Sequence, residues 1–264
     1  MRIRIPSVIL LSTLALCSIP SLAFAAGGDT TEKAFTVTPG GTLKVDADLG
    51  SVDIRTATEN QITVQIERTA DGVDDSQAAK VLEDLKTQLT PNAKGLHIKI
   101  TYAHEVPGDS SRLPLWVKLK ISVPQQYNVD LNTGRGNLKV AGVNGTLNAW
   151  TRGGNIELED ILGKVEAKTA GGHVTVRMSV QPTEDYRLVT SGGHMDLYLA
   201  PKVAIKVDAV TGGGHITSEL DPSVKSSLGA SLRQEINGGG PAIVLRSGGG
   251  NIGLHRIGTE VAEQ

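Results

Sequence analysis

One short pattern recurs six times in the second half of this chain: Thr or Ser, two variable residues, Gly, Asn or His, and an aliphatic residue. The copies are Thr133-Gly-Arg-Gly-Asn137-Leu138, Thr151-Arg-Gly-Gly-Asn155-Ile156, Thr169-Ala-Gly-Gly-His173-Val174, Thr190-Ser-Gly-Gly-His194-Met195, Thr211-Gly-Gly-Gly-His215-Ile216 and Ser247-Gly-Gly-Gly-Asn251-Ile252. The spacing is 18 from Asn137 to Asn155 and from Asn155 to His173, 21 from His173 to His194 and from His194 to His215, and 36 from His215 to Asn251. Weaker copies stand at Leu49-Gly50-Ser51-Val52 and Asn237-Gly-Gly-Gly240-Pro241. A period of this length marks stacked structural units, none of which can bury its apolar face alone.

Within each unit the residues alternate. Leu138-Lys-Val140, Ile156-Glu-Leu158, Val174-Thr-Val176 and Met195-Asp-Leu197 each place two apolar side chains on one face of a short strand. A second strand follows half a period on, as in Leu147-Asn-Ala149 and Val165-Glu-Ala167. The pattern predicts an all-β chain wound as a single-stranded β-helix, or β-solenoid, with coils of 18–21 residues and Leu138, Ile156, Val174, Met195 and Ile216 on its inner face. Glycine at each corner is expected to supply the positive φ that a tight reversal needs. The Thr or Ser hydroxyls are expected to bond turn amides or the neighbouring coil.

The part before the repeats, 26–123, is less regular. Alternation in Thr42-Leu-Lys-Val45, Val52-Asp-Ile54 and Ile62-Thr-Val-Gln-Ile66 predicts strands that cap the first coil against pairing with another molecule. Between Asp75 and Leu89 the period changes. Ala78, Val81, Leu82, Leu85 and Leu89 follow helical spacing, with Asp74 or Asp75 to cap the start and Pro91 to stop it, so one amphipathic helix is expected over 75–89. Strand alternation returns at Leu96–Tyr102 and Leu115–Val123.

Residues 1–25 have the parts of a secretory signal: Arg2 and Arg4, an apolar run from Val8 to Ile19, and Ala23-Phe24-Ala25 before the expected cleavage at Ala26. The run is too short to span a bilayer core, which takes about 20 residues. Leu16 stands where lipidation of Cys17 would call for a small residue. The expectation is an exported chain, 26–264, forming a single domain of the periplasm or cell surface that does not span the membrane. Cys17 is the only cysteine, so a cleaved chain has no disulfide, thiol nucleophile or cysteine–zinc site. Removing Arg2 and Arg4 from 26 basic and 28 acidic residues leaves 24 and 28, a net charge of −4. With no basic tract, nucleic acid is not an expected partner.

The repeats at 131–256, preceded by Phe35-Thr-Val-Thr-Pro-Gly-Gly41 and Gly50-Ser-Val-Asp-Ile54, resemble the bacterial putative-adhesin family of extracytoplasmic β-solenoid domains of unknown function. The resemblance covers about residues 33–258 and implies an envelope or surface location and a non-catalytic role. It carries no catalytic residues onto this chain.

Three function classes follow from these residues. The first is a non-catalytic binding or scaffold protein whose faces meet an envelope polymer or protein, with His173, His194 and His215 as candidate binding residues in one ladder of successive coils. The second is a polysaccharide-acting β-helix enzyme, for which Glu157, Glu159 and Asp160 supply the nearest carboxylate cluster, although alternation leaves Glu157 and Glu159 as outward neighbours on a solvated face. The third is metal binding by the histidines, which three side chains in a straight row do poorly for a tetrahedral ion. The expectation is therefore no catalytic residues, no metal and no cofactor. Stacked imidazoles should also resist charging together, making the fold less stable in acid.

Overall fold

The computed structural model describes residues 27–104, 114–221 and 228–258; the signal-like segment lies outside them. Its first elements are β1 (Gly28–Thr36), β2 (Thr42–Ala47), β3 (Ser51–Ala57), β4 (Gln61–Ala70), α1 (Asp75–Glu83), β5 (Leu85–Asn92), β6 (Gly95–Tyr102) and β7 (Leu115–Pro124). The repeats supply β8 (Asn128–Thr133), β9 (Leu138–Ala141), β10 (Leu147–Thr151), β11 (Ile156–Glu159), β12 (Val165–Thr169), β13 (Val174–Met178), β14 (Tyr186–Thr190) and β15 (Met195–Leu199). They continue with β16 (Ile205–Thr211), β17 (Ile216–Ser218), β18 (Ser231–Ile236), β19 (Ala242–Ser247) and β20 (Ile252–Arg256). These strands form two open ten-stranded sheets.

In the middle of the molecule each pass of the chain gives one strand to each sheet. β8, β10, β12 and β14 lie side by side in one sheet, and β9, β11, β13 and β15 in the other, all parallel and in register. Alternation then does what the sequence predicts: Leu138, Ile156, Val174, Met195 and Ile216 are each 1% exposed in a core shared with the facing sheet. Burying such an aliphatic side chain contributes about 1.5–3 kcal/mol, and parallel neighbours satisfy its strand's backbone groups.

At both ends the order of passes departs from the order of the chain, so the whole is a two-sheet β-sandwich rather than a simple succession of coils. β2 and β3 sit against β8 and β9, while the later β6 and β7 lie outside them. Beyond these, β7–β4–β1 and β6–β5 are antiparallel and form the edges. At the other end β19 and β20 are inserted between β14/β15 and β16/β17, and β18 runs antiparallel along the far side of β16. Parallel in-register pairing requires matched patterns, not adjacency in sequence. Ser247-Gly-Gly-Gly-Asn251-Ile252 matches both neighbours and fits between them.

Two expectations are corrected here. The helix ends at Glu83, because Leu85, Thr87 and Leu89 join an antiparallel ladder with Tyr102, Ile100 and Ile98. Pairing overrides the helical period, and Pro91 is tolerated because β5 is an edge strand. The helix start is as read: the Asp74 carboxylate accepts from the Gln77 backbone N–H at 2.9 Å, and Ala78 is buried. The weaker repeat at Asn237 is a turn, not a corner. Asn237, Gly238 and Gly239 have φ of 51°, 87° and 81°, and Asn237 donates to the carbonyls of Pro201 and Val203.

Candidate functional site

The buried hydroxyls of the repeat stitch successive passes together. Thr169 Oγ1 donates to the Gly154 carbonyl at 2.8 Å and accepts from the Gly172 N–H at 3.1 Å. Thr190 does the same with Gly172 and Gly193, Ser247 with Gly193 and Gly250, and Thr211 with Gly250 and Gly214. The chain of bonds runs 190, 247, 211, so it records the inserted order.

The corner glycine is required for a different reason from the one expected. Among the regular corners only Gly136 has a positive φ, 137°. At Gly154, Gly172, Gly193 and Gly250 an added Cβ would come within 1.8–2.0 Å of the carbonyl oxygen of the pass below. Backbone crowding, not φ, excludes a side chain.

The following Asn or His forms a second ladder on the outer face. The backbone N–H of Asn155 donates to Asn137 Oδ1 at 2.9 Å, and that of His173 to Asn155 Oδ1 at 2.9 Å. His194 N–H donates to His173 Nδ1 at 3.0 Å, Asn251 N–H to His194 Nδ1 at 2.8 Å, and His215 N–H to Asn251 Oδ1 at 2.9 Å. Nδ1 as acceptor leaves the ring proton on Nε2, the neutral tautomer. The His173 and His194 rings stack at 5.1 Å and 7°. The three histidines do not occupy successive passes: Asn251 separates His215 from His194.

This ladder lines a trough on the outer face of the sheet containing β3, β9, β11, β13, β15 and β20. One depression of about 560 Å³ holds Trp116, Lys118, Asn137, Lys139, Asn155 and Glu157. A second of about 540 Å³ holds Asn155, His173, His194, Asp196, Asn251 and His255. Asn155 belongs to both, so they meet end to end. His215 lines neither.

Trp116 is 66% exposed, and Lys120 and Glu67 form an ion pair at 2.6 Å beside it. Lys139 and Glu157 are paired as well. The carboxylate cluster read from the sequence is dispersed: Asp160 turns out of the strand at φ 50° and accepts from the Ser179 N–H at 2.6 Å. At the far end His255 lies between Asp196 and Glu219, each at 3.0 Å, and stacks on Tyr198 at 4.7 Å. Burial pulls the His255 imidazole down, but the bonds to Glu219 and Asp196 and their charges outweigh it, so the ring is raised above its ordinary value.

Sequence reasoning passed over Trp116 and His255. Trp116 was open to it, since Leu115-Trp-Val117 alternation turns the indole outward. His255 was not, because its partners lie 59 and 36 residues away and meet it through the inserted pass. Among the described residues no group of three or more His, Cys, Asp or Glu could hold a metal ion, and no helix is long and apolar enough to cross a membrane.

No family model and no curated protein matches this sequence. Solved structures do. A crystal structure described as a putative cell adhesion protein from Clostridium sporogenes aligns over 86% of this chain and 99% of its own, at 12% identity and a TM-score of 0.52. One described as a putative adhesin from Bacteroides fragilis aligns over 86% and 97%, at 10% identity and a TM-score of 0.34. The resemblance drawn from the repeats is thus met by a solved structure of that description, the Clostridium sporogenes protein, and what it shares with this chain is the fold.

Proposed function

We propose that this chain is an exported, non-catalytic binding protein of the periplasm or cell surface, built as a β-solenoid-like scaffold, that holds an extended envelope polymer along the outer trough. One observation carries the reading: two depressions meet at Asn155 and run in line along the Asn/His ladder, across strands spaced about 4.8 Å apart. A row of near-identical rungs suits a ligand that itself repeats. Glu157 is paired with Lys139 and Asp196 with His255, which favours holding over hydrolysis at these two carboxylates. The adhesion descriptions of the solved structures agree with this reading by analogy of fold.

The test is co-sedimentation of the purified chain with isolated envelope polymers. Trp116→Ala should weaken retention, while Trp150→Ala, on the opposite sheet, should not. Equal retention of both variants, or release of reducing sugar from the polymer, would overturn the proposal.

A further inference from the structure

The ladder bonds decide what the trough offers to a ligand. Each rung spends its inner atom on the backbone N–H of the next pass: Oδ1 of Asn137, Asn155 and Asn251, and Nδ1 of His173 and His194. An amide or neutral imidazole that accepts at one end carries its N–H at the other. The trough wall is therefore a line of uncharged N–H donors, Nδ2 of the asparagines and Nε2 of the histidines, spaced about 4.8 Å apart.

A second row runs beside it two residues on, roughly 7 Å away on the same face. It consists of Lys139, Glu157, Thr175, Asp196 and Gly253, in register across β9, β11, β13, β15 and β20. This row mixes donors with carboxylate acceptors, and its lysine is paired with Glu157. At one end stands the exposed plate of Trp116.

We infer that the ligand is an uncharged polysaccharide, laid along the ladder with its hydroxyl or acetamido oxygens on the Asn and His N–H groups. The inference rests on the trough reading above and names its ligand class. Sugar hydroxyls both donate and accept, so one chain can meet the donor row and the carboxylates of Glu157 and Asp196 together. A polyanion would lay its charges against the carboxylates of Glu157 and Asp196, whose ion pairs already engage Lys139 and His255. An extended peptide seeks open strand edges, whereas the trough lies on a sheet face whose backbone groups are already paired.

The test uses calorimetric titration of the cleaved chain with soluble oligomers of glucose and of N-acetylglucosamine, two to six residues long, and with polygalacturonate. The decisive variants are Asn155→Asp and Asn251→Asp, which keep Oδ1 for the ladder bond and replace the outward donor by an oxygen. Affinity for one uncharged series should rise with length, and each variant should lose about tenfold with an unchanged Tm at neutral pH. Binding of polygalacturonate or an envelope protein, sensitive to Trp116→Ala but with no uncharged glycan bound, would overturn the ligand class and leave the trough standing. Glycan binding insensitive to Trp116→Ala and to both Asp variants would overturn the trough as well, and no binding by any probe would overturn the glycan inference.

Discussion

The backbone N–H of Asn251 donates to Nδ1 of His194 at 2.8 Å across 57 residues of sequence, and His215, only 21 residues after His194, takes the next place outward. The register on the other sheet agrees: Val189 faces Arg246, and Arg246 faces Val210. A disulfide needs Cα atoms roughly 4.4–6.8 Å apart. Val189→Cys with Arg246→Cys should therefore crosslink on oxidation, while Val189→Cys with Val210→Cys, about two strand spacings or ~9.6 Å apart, should not. Mass spectrometry of the oxidised variants checks this, and the reverse pattern would mean that the passes stack in chain order.

The crowded corners make a graded stability prediction. Gly172→Val places a branched side chain where even a Cβ meets the Gly154 carbonyl oxygen at 2.0 Å, whereas Ala170 is exposed. Gly172→Val should cost several kcal/mol, of the size seen for severe overpacking, about 3 kcal/mol or more. Ala170→Val should change stability by about 0.5 kcal/mol or less. Equal denaturation midpoints would contradict the close approach.

His255, held between Asp196 and Glu219, makes the stability of the fold depend on pH. Its folded value is raised, so its stabilisation is complete below the ordinary imidazole value of 6.5 and is lost as pH climbs through the raised value. His255→Gln should therefore destabilise the chain more at pH 5.5 than at pH 8.5, and a loss independent of pH would contradict the ion pairs.

Two buried tyrosines should respond differently to loss of their hydroxyls. Tyr186 donates to the Ile161 carbonyl, and burial, with the charge of Asp160, raises the phenol. Tyr127 is equally buried but its hydroxyl has no hydrogen-bond partner among the described residues. Tyr186→Phe should cost roughly 1–2 kcal/mol by orphaning a buried carbonyl, whereas Tyr127→Phe should be neutral or stabilising by up to about 1 kcal/mol. Urea denaturation of the two variants compares them directly.

What the sequence determined by itself was the strand alternation and the place of the six regular corners. Alternation set which side chains enter the core, because a strand's side-chain period is two whatever its neighbours are, and so Leu138, Ile156, Val174, Met195 and Ile216 were assigned correctly. The repeat also identified the Thr, Gly and Asn/His positions as structural corners. The tertiary structure decided the order of the passes, since each matched pass offers nearly the same partners and only the full set of connections selects among them. That choice separated His215 from His194, gave His255 its carboxylates, and drew Leu85 and Leu89 out of a helical period into an edge strand. It also changed the reason for the glycines from dihedral freedom to the contact of one pass with the next, a distance that the repeat contains but does not display.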